Sequence, residues 1–302
     1  MTTERLMDLG RRFNPDVEIS IATSVCDAYL RLMNSGAFRR EKSAAYYQWF
    51  YGAGRPSVLS LARGKGGEPL GQVGVSLYTL THGLRAALVV DMVTVPERRG
   101  SGLFGLVLHE AEKWARAQGA DCLICFPNPA GARALVGTGH WRLEAEIETL
   151  ECACPIFDET RAAVEGVPLA VVRTEAEVVW RFKEHPEYRY KEWSGPSGSL
   201  WTKDFVDPVS QESLTDLVSL GGVMSADGAS LIAATRQEPG GAARRFTAWA
   251  LPGSPDVARI TRAGFHPGSQ RRAFCVKWLS VDAERVAGRA QWAVTQADTE
   301  VF

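Results

Sequence analysis

Between the apolar run at residues 85–95 and an amphipathic stretch that starts at Leu103 lies Pro96-Glu97-Arg98-Arg99-Gly100-Ser101-Gly102. No other segment constrains the fold as much, because a strand must pass almost directly into a helix across two glycines. Glycines let backbone N–H groups approach a ligand closely, and the helix that follows contributes unsatisfied N–H groups and a positive dipole end. The pattern is that of an anion cradle. The helix itself is plain in the sequence: Leu103, Leu106, Val107, Ala111, Trp114, Ala115 and Gln118 recur at spacings of three and four, while Glu110, Glu112, Lys113 and Arg116 fall mostly opposite or at the edges. Gly119 ends it.

With 302 residues, the chain exceeds one ordinary domain, and two units of ~150 residues are expected. Upstream of the glycine turn, residues 1–18 read as a polar lead-in and residues 19–33 as a helix. An aromatic-rich short helix follows at 43–51, then strands at 57–62 and 70–78. Downstream come a buried strand at 121–126, a short helix reaching Val136 and a closing strand at 141–152. The second half repeats this order loosely. A helix is expected at 177–182, a strand at 200–206, helical material at 214–220 and 229–235, and a buried strand at 246–251. The segment from Leu251-Pro252-Gly253 to Gly264-Phe265 parallels Phe126-Pro127-Asn128 to Gly139-His140-Trp141, and a strand follows at 272–279. These parallels predict a distant internal duplication, with units at 1–156 and 157–302 and a boundary near 157–168. Residues 280–302 are expected to form a tail or a last helix.

A net charge of −1 gives no global attraction to nucleic acid or an acidic membrane. Six cysteines are too few for a disulfide scaffold. Cys122 and Cys125 form a C-x-x-C, but within an apolar strand and without a second pair at metal spacing, so packed thiols are expected and no metal. The opening residues contain no signal-like apolar run and no stretch long enough to span a bilayer. A cytoplasmic protein is the expectation.

Residues 85–141 resemble the acyl-CoA-binding core of the GNAT N-acetyltransferase superfamily. Its signature R/Q-x-x-G-x-G/A, set between V-x-P and a long helix, reads here as Arg99-Gly100-Ser101-Gly102-Leu103-Phe104 after Val95-Pro96-Glu97. The last small residue is replaced by Phe104. A second family element, an Asn after the next strand, is matched by Asn128. The resemblance implies an α/β (α+β) fold with a mixed, mostly antiparallel sheet whose central strands splay apart, flanked by helices, in tandem copies. The first unit would carry the acyl-CoA site, and the second, which has no such turn, would be a degenerate copy. Backbone groups of Val93 and Val95 would pair with the pantetheine arm. N–H groups across Arg99, Gly100, Ser101, Gly102, Leu103 and Phe104 would hold the pyrophosphate, with Asn128 completing the acetyl-CoA site.

The resemblance also implies chemistry. Asp91 is the candidate base, since an alkyl amine must lose a proton before it attacks a thioester; the bland alternative is an Asp paired with a basic neighbour. The tyrosine that commonly protonates the leaving thiolate is replaced by Val136, with His140 as a possible substitute. Tyr46, Tyr47, Trp49, Phe50 and Tyr51 either pack as a helix face or line an acceptor site. The expected reaction is acetyl transfer from acetyl-CoA to a small-molecule amine. Two alternatives are a long acyl chain or a polymeric acceptor such as modified DNA, and a non-catalytic acyl-CoA-binding regulator.

Overall fold

The computed structural model describes residues 3–24, 26–35, 41–52, 55–138, 140–153, 167–195, 198–206, 211–219, 245–288 and 290–299. The expected lead-in is instead a helix, α1 (Thr3–Phe13). Leu6, Met7, Leu9, Gly10 and Phe13 recur at helical spacing in it, and Met7, Gly10 and the following Asn14 contact the body. The single helix expected at 19–33 is two elements, β1 (Glu18–Ala22) and α2 (Asp27–Asn34). Ile19 and Ile21 alternate as a strand does, and Thr23-Ser24 separates them from the helical spacing of Tyr29, Leu32 and Met33.

The aromatic helix is α3 (Ala44–Gly52), followed by β2 (Ser57–Arg63), β3 (Pro69–Leu80) and β4 (Arg85–Thr94). The glycine turn then leads into α4 (Leu103–Ala117), β5 (Cys122–Cys125), α5 (Pro129–Val136) and β6 (Arg142–Cys152). The second half comprises β7 (Leu169–Val172), α6 (Glu175–Val178) continuing as a π-turn over Val179–Lys183, β8 (Tyr190–Gly195), β9 (Gly198–Val206) and β10 (Ser213–Ser219). After them come β11 (Arg245–Ala250), α7 (Pro255–Arg262), β12 (His266–Trp278), α8 (Val281–Ala287) and β13 (Trp292–Ala293). β10 stands where helical material was expected. Leu214 through Val218 are all buried, and a strand covered on both faces loses the period-two signature that would reveal it. The expected helix at 229–235 and the boundary between 156 and 157 lie outside the described residues.

One sheet runs through the molecule in the order β1-β2-β3-β4-β5-β12-β6-β11-β10-β9-β8. Its pairings are antiparallel except β4 with β5 and β10 with β11. Outward from the central β12–β6 pair the order reads alike in both directions: an antiparallel neighbour, then a parallel pair, then antiparallel strands. β12 from late in the chain inserts between β5 and β6, and β6 in turn lies between β12 and β11.

Two apolar clusters flank the first half of the sheet. One lies under α4 and joins Leu103, Leu106 and Ala111 to Val73, Val89 and Leu123. The other lies under α2 and α3 and extends from Tyr46 and Phe50 through Val90 and Phe126 to Trp249 and Phe274. Cys122 belongs to the second cluster and Cys125 to the first, so their sulfurs sit on opposite faces of β5 and cannot share a ligand.

Candidate active site

Strands β4 and β5 are paired in register only from Ala86↔Cys122 to Val89↔Cys125. β4 continues to Thr94 with β3 on one side, whereas β5 ends at Cys125, so beyond Val89 the other edge of β4 has no strand partner among the described residues. The β3–β4 register shifts between Gln72↔Val93 and Gly74↔Val90, which makes a bulge just past the end of the β4–β5 pairing. Asp91 forms the bulge with φ of 51°, a left-handed conformation that a non-glycine residue adopts at a cost of ~1–3 kcal/mol. Bulges re-aim a side chain, and this one turns Asp91 toward α3.

There Asp91 is buried and its two oxygens are held separately. Tyr51 on α3 donates its hydroxyl to Oδ2 at 2.7 Å, and Lys42 donates its ammonium to Oδ1 at 2.6 Å. Lys42 also donates to the Tyr46 hydroxyl at 3.2 Å. A Cβ at Gly74 would collide with the Tyr51 hydroxyl, so the absent side chain in β3 is the notch through which Tyr51 reaches the carboxylate. Burial, followed by the Asp91 charge, pushes the Tyr51 and Tyr47 hydroxyls well above the usual phenol range, so both stay protonated; Tyr51 donates to Asp91, and the Tyr47 hydroxyl accepts from Gln72 Nε2. Asp91 is thus the charged centre of a buried polar group; its partners, Lys42, Tyr51 and the Gly74 notch, are far away in sequence.

The glycine turn passes directly from the strand region into α4, and the structure shows where each of its residues lies. Gly100 and Gly102 have φ of 77° and 81°, the left-handed region that favours glycine. Leu103 is fully buried, which anchors the helix start and leaves the N–H groups of Leu103, Phe104 and Gly105 in the first turn without carbonyl partners. Phe104 does not cap the turn: its ring packs partly buried against the cluster under α4. Gly105 supplies the open surface instead, since it is exposed and an added Cβ would meet nothing within 4 Å.

Other expected donor-site groups are engaged by the chain itself. Val95 N–H donates to Leu70 O at 2.9 Å, and Val95 O accepts from Arg98 N at 3.1 Å, so Val95 does not offer its backbone to the open edge of β4. Val93 pairs with Gln72, two positions from the Val95–Leu70 pair, and faces β3 in the same way. Backbone alternation therefore turns Met92 and Thr94 toward the open side. Ser101 donates its hydroxyl to Arg98 O (2.7 Å) and lies 3.2 Å from Asn14 Oδ1, while Asn14 Nδ2 donates to Ser101 O at 2.9 Å. The serine is a strut between α1 and the turn. Exposed Arg99 donates from Nε to Thr94 O at 3.2 Å, which places its guanidinium beside the turn. Asn128 is the N-cap of α5, where its Oδ1 accepts from Gly131 N at 2.8 Å, leaving the amide Nδ2 for a ligand.

The aromatic residues of α3 are all buried. Trp49 stacks on Trp180 with ring centroids 4.2 Å apart, and each indole N–H donates to the other's carbonyl, at 3.1 and 3.2 Å. Tyr46 stacks on Phe50 and Tyr47 on Tyr51. These rings fill the core rather than line a tunnel. His140 is exposed at the start of β6, and Val136 is exposed on α5.

No protein-family model matches the sequence, and comparison with curated proteins finds no match. Comparison with solved structures does find likeness. A GCN5-related N-acetyltransferase from Kribbella flavida aligns with a TM-score of 0.57 at 14% identity, over 88% of this chain and 72% of that one. A conserved protein from Enterococcus faecalis V583 described as a probable N-acyltransferase aligns at 0.59 with 9% identity, over 87% and 73%. Eis1 from Mycobacterium abscessus aligns at 0.55 with 13% identity, over 89% and 76%. Among the described residues no helix is long and apolar enough to cross a membrane. The sheet order with its parallel β4–β5 pair, the glycine turn before α4 and these alignments together give one conclusion: the chain has the GNAT N-acetyltransferase fold.

Proposed function

We propose that this protein is an acyl-CoA-dependent N-acyltransferase that moves an acetyl group from acetyl-CoA to a small-molecule amine. The observation that carries the reading is the alignment of three features along one strand. The β4–β5 pairing ends at Val89, the buried carboxylate of Asp91 sits two residues beyond it, and the open glycine turn begins a few residues beyond Thr94. The pyrophosphate would meet the N–H groups from Gly100 to Gly105, with Arg99 adding positive charge. The pantetheine arm would run along the open edge of β4 at Met92 and Thr94, and a backbone N–H there would stabilise the oxyanion. An amine entering from the α3 side would give its proton to Asp91 and attack the thioester in a single ternary complex. Orienting the two reactants supplies ~7–11 kcal/mol of barrier reduction. The thiolate needs little help, since a thiol has a pKa of ~8.5; the lack of a tyrosine at Val136 is tolerable.

The second half is read as a copy without a donor loop, and it adds a wall. Phe274 and Trp249 belong to the apolar cluster that includes Val90 and Val93. One observation favours a non-catalytic acyl-CoA sensor: Asp91 already holds a cation, Lys42. Calorimetry with CoA, followed by acetyl-CoA turnover on a panel of primary amines, separates the two. Binding with CoA release on an amine supports the enzyme, and binding with no turnover on any amine supports the sensor. No binding removes both.

A further inference from the structure

The amine closest to the candidate base belongs to the protein. Lys42 Nζ lies 2.6 Å from Asp91 Oδ1, and its side chain is only 12% exposed. The cation also packs against the Tyr46 ring, 4.3 Å from its centroid. This is a costly way to place a lysine, whose side chain loses ~2 kcal/mol of rotamer freedom when fixed.

The placement is enforced on both sides of the residue. The Asn34 side chain at the end of α2 grips the Lys42 backbone twice, accepting from its N–H at 3.0 Å and donating to its carbonyl at 2.9 Å. The next residue, Ser43, gives both its backbone N–H and its hydroxyl to Glu187 of the second half, at 3.0 and 2.7 Å. Lys42 thus projects from a pinned backbone to the Asp91 bulge of β4. Asp91 lies two residues past Val89, the last residue of β4 paired with β5.

We infer that Lys42 is itself an acyl acceptor, and that the protein acylates this one side chain in cis. The inference rests on the acyltransferase reading above. One ammonium proton passes from Nζ to Asp91 Oδ1, and the freed lone pair attacks the thioester carbonyl. The N–C bond forms, the nitrogen of the tetrahedral intermediate gives its second proton to the departing CoA sulfur as the C–S bond breaks, and Asp91 afterwards returns its proton to solvent. The product is a neutral amide on Lys42. Tyr51 keeps its hydrogen bond to Oδ2, so the carboxylate remains oriented once its cation is gone.

The test incubates the full chain with acetyl-CoA and follows intact mass, then maps the modified peptide. The expected result is a single acetyl increment, on Lys42. Lys113 is the internal control, since its side chain is 59% exposed and merely pairs with Glu110 on α4. A positioned amine should outrun it by ~10-fold or more even though it is buried. Asp91→Asn should slow labelling of Lys42 by ~10²-fold, the usual worth of a general base, and leave Lys113 unchanged. Lys42→Arg keeps the cation beside Asp91, so it should fold with an unchanged urea midpoint and lose the adduct. CoA binding with Lys42 unlabelled, or labelled no faster than Lys113, overturns the inference and leaves the acyltransferase reading standing. Equal labelling in Asp91→Asn also overturns it. Absence of CoA binding in calorimetry overturns both.

Discussion

Gly105→Glu separates damage to the fold from damage to the donor site, because it moves the two in opposite directions. Gly105 is the third residue of α4, and an added Cβ would have open space around it. Replacing a helical glycine with a good helix former gains ~0.8–1 kcal/mol. A carboxylate in the first turn gains a further ~0.3–1 kcal/mol from the helix dipole. Stability should therefore rise by about 1–2 kcal/mol. Helical side chains lean toward the N-terminus, so the new carboxylate covers the turn at Gly102, where the pyrophosphate would bind. At ~5 Å and an effective dielectric of ~20, each unit of like charge costs about 3 kcal/mol, or on the order of 10²-fold in affinity. The assay is a urea titration paired with calorimetry of CoA binding at low and high salt. The expected result is a higher midpoint, weak or absent binding and partial recovery in salt, which screens the repulsion. Unchanged CoA affinity in a stabilised variant would show that the turn is not the anion site. Gly102→Glu is a poor substitute: its φ of 81° is strained for any side chain, and an added Cβ would lie 2.9 Å from Gly10 Cα.

Glu112 on α4 accepts from Lys277 of β12 at 2.6 Å and from Arg116 at 2.9 Å. Burial pushes its carboxyl up, but these two cations outweigh it and hold the group below the ordinary glutamate range. Its folded pKa is depressed, so its contribution is full above the unfolded value of ~4.3 and is lost as pH falls through the folded value. Glu112→Gln leaves Lys277 buried without its carboxylate and should cost ~3–5 kcal/mol near neutrality, with a flatter acid limb in urea midpoints taken down the pH scale. Trp180→Phe removes one of the paired indole bonds and leaves Trp49 O without that donor, so it should cost ~1–3 kcal/mol by the same measurement. Native alkylation near pH 8 followed by peptide mapping should label Cys26, which is exposed, and spare Cys122, Cys125 and Cys275. Burial raises all three of those thiols, that of Cys275 to about 11. Rapid labelling of any of them in folded protein would contradict the packing described.

The glycine turn and the helix after it were legible in the sequence because their parts are contiguous. A strand, two glycines and an amphipathic helix fall within one short window, and each is a local choice of residue type. Finer assignments failed where tertiary pairing decides. Val95 reads as the end of a strand facing ligand, but only the β3 register reveals that its N–H is spent on Leu70. Ser101 sits inside the motif, yet its hydroxyl is committed to Arg98 O and to Asn14, 87 residues away in the chain. The acceptor side was hardly legible at all. Asp91 stood out as an acidic residue in an apolar strand, but Lys42 lies 49 residues away and Tyr51 lies 40 away. Gly74 signals nothing until Tyr51 is seen passing over it.

The same distances explain why a half without a donor turn would be retained. β5 has β12 as its outer neighbour, so residues 3–153 alone would leave the edge of β5 unpaired and β6 detached from it. An open strand edge leaves unpaired N–H and C=O groups that another chain can pair with. The second half also reaches the chemistry through α3. Trp180 holds Trp49, and Glu187 holds Ser43, at the two ends of the segment that presents Lys42, Tyr46 and Tyr51. Among the described residues Asp91 takes its side-chain hydrogen bonds from α3 and from the residue leading into it, on top of the aim the bulge in β4 gives it. Residues 167–299 therefore bear on the geometry around Asp91 through Trp180 and Glu187, which hold the two ends of that segment.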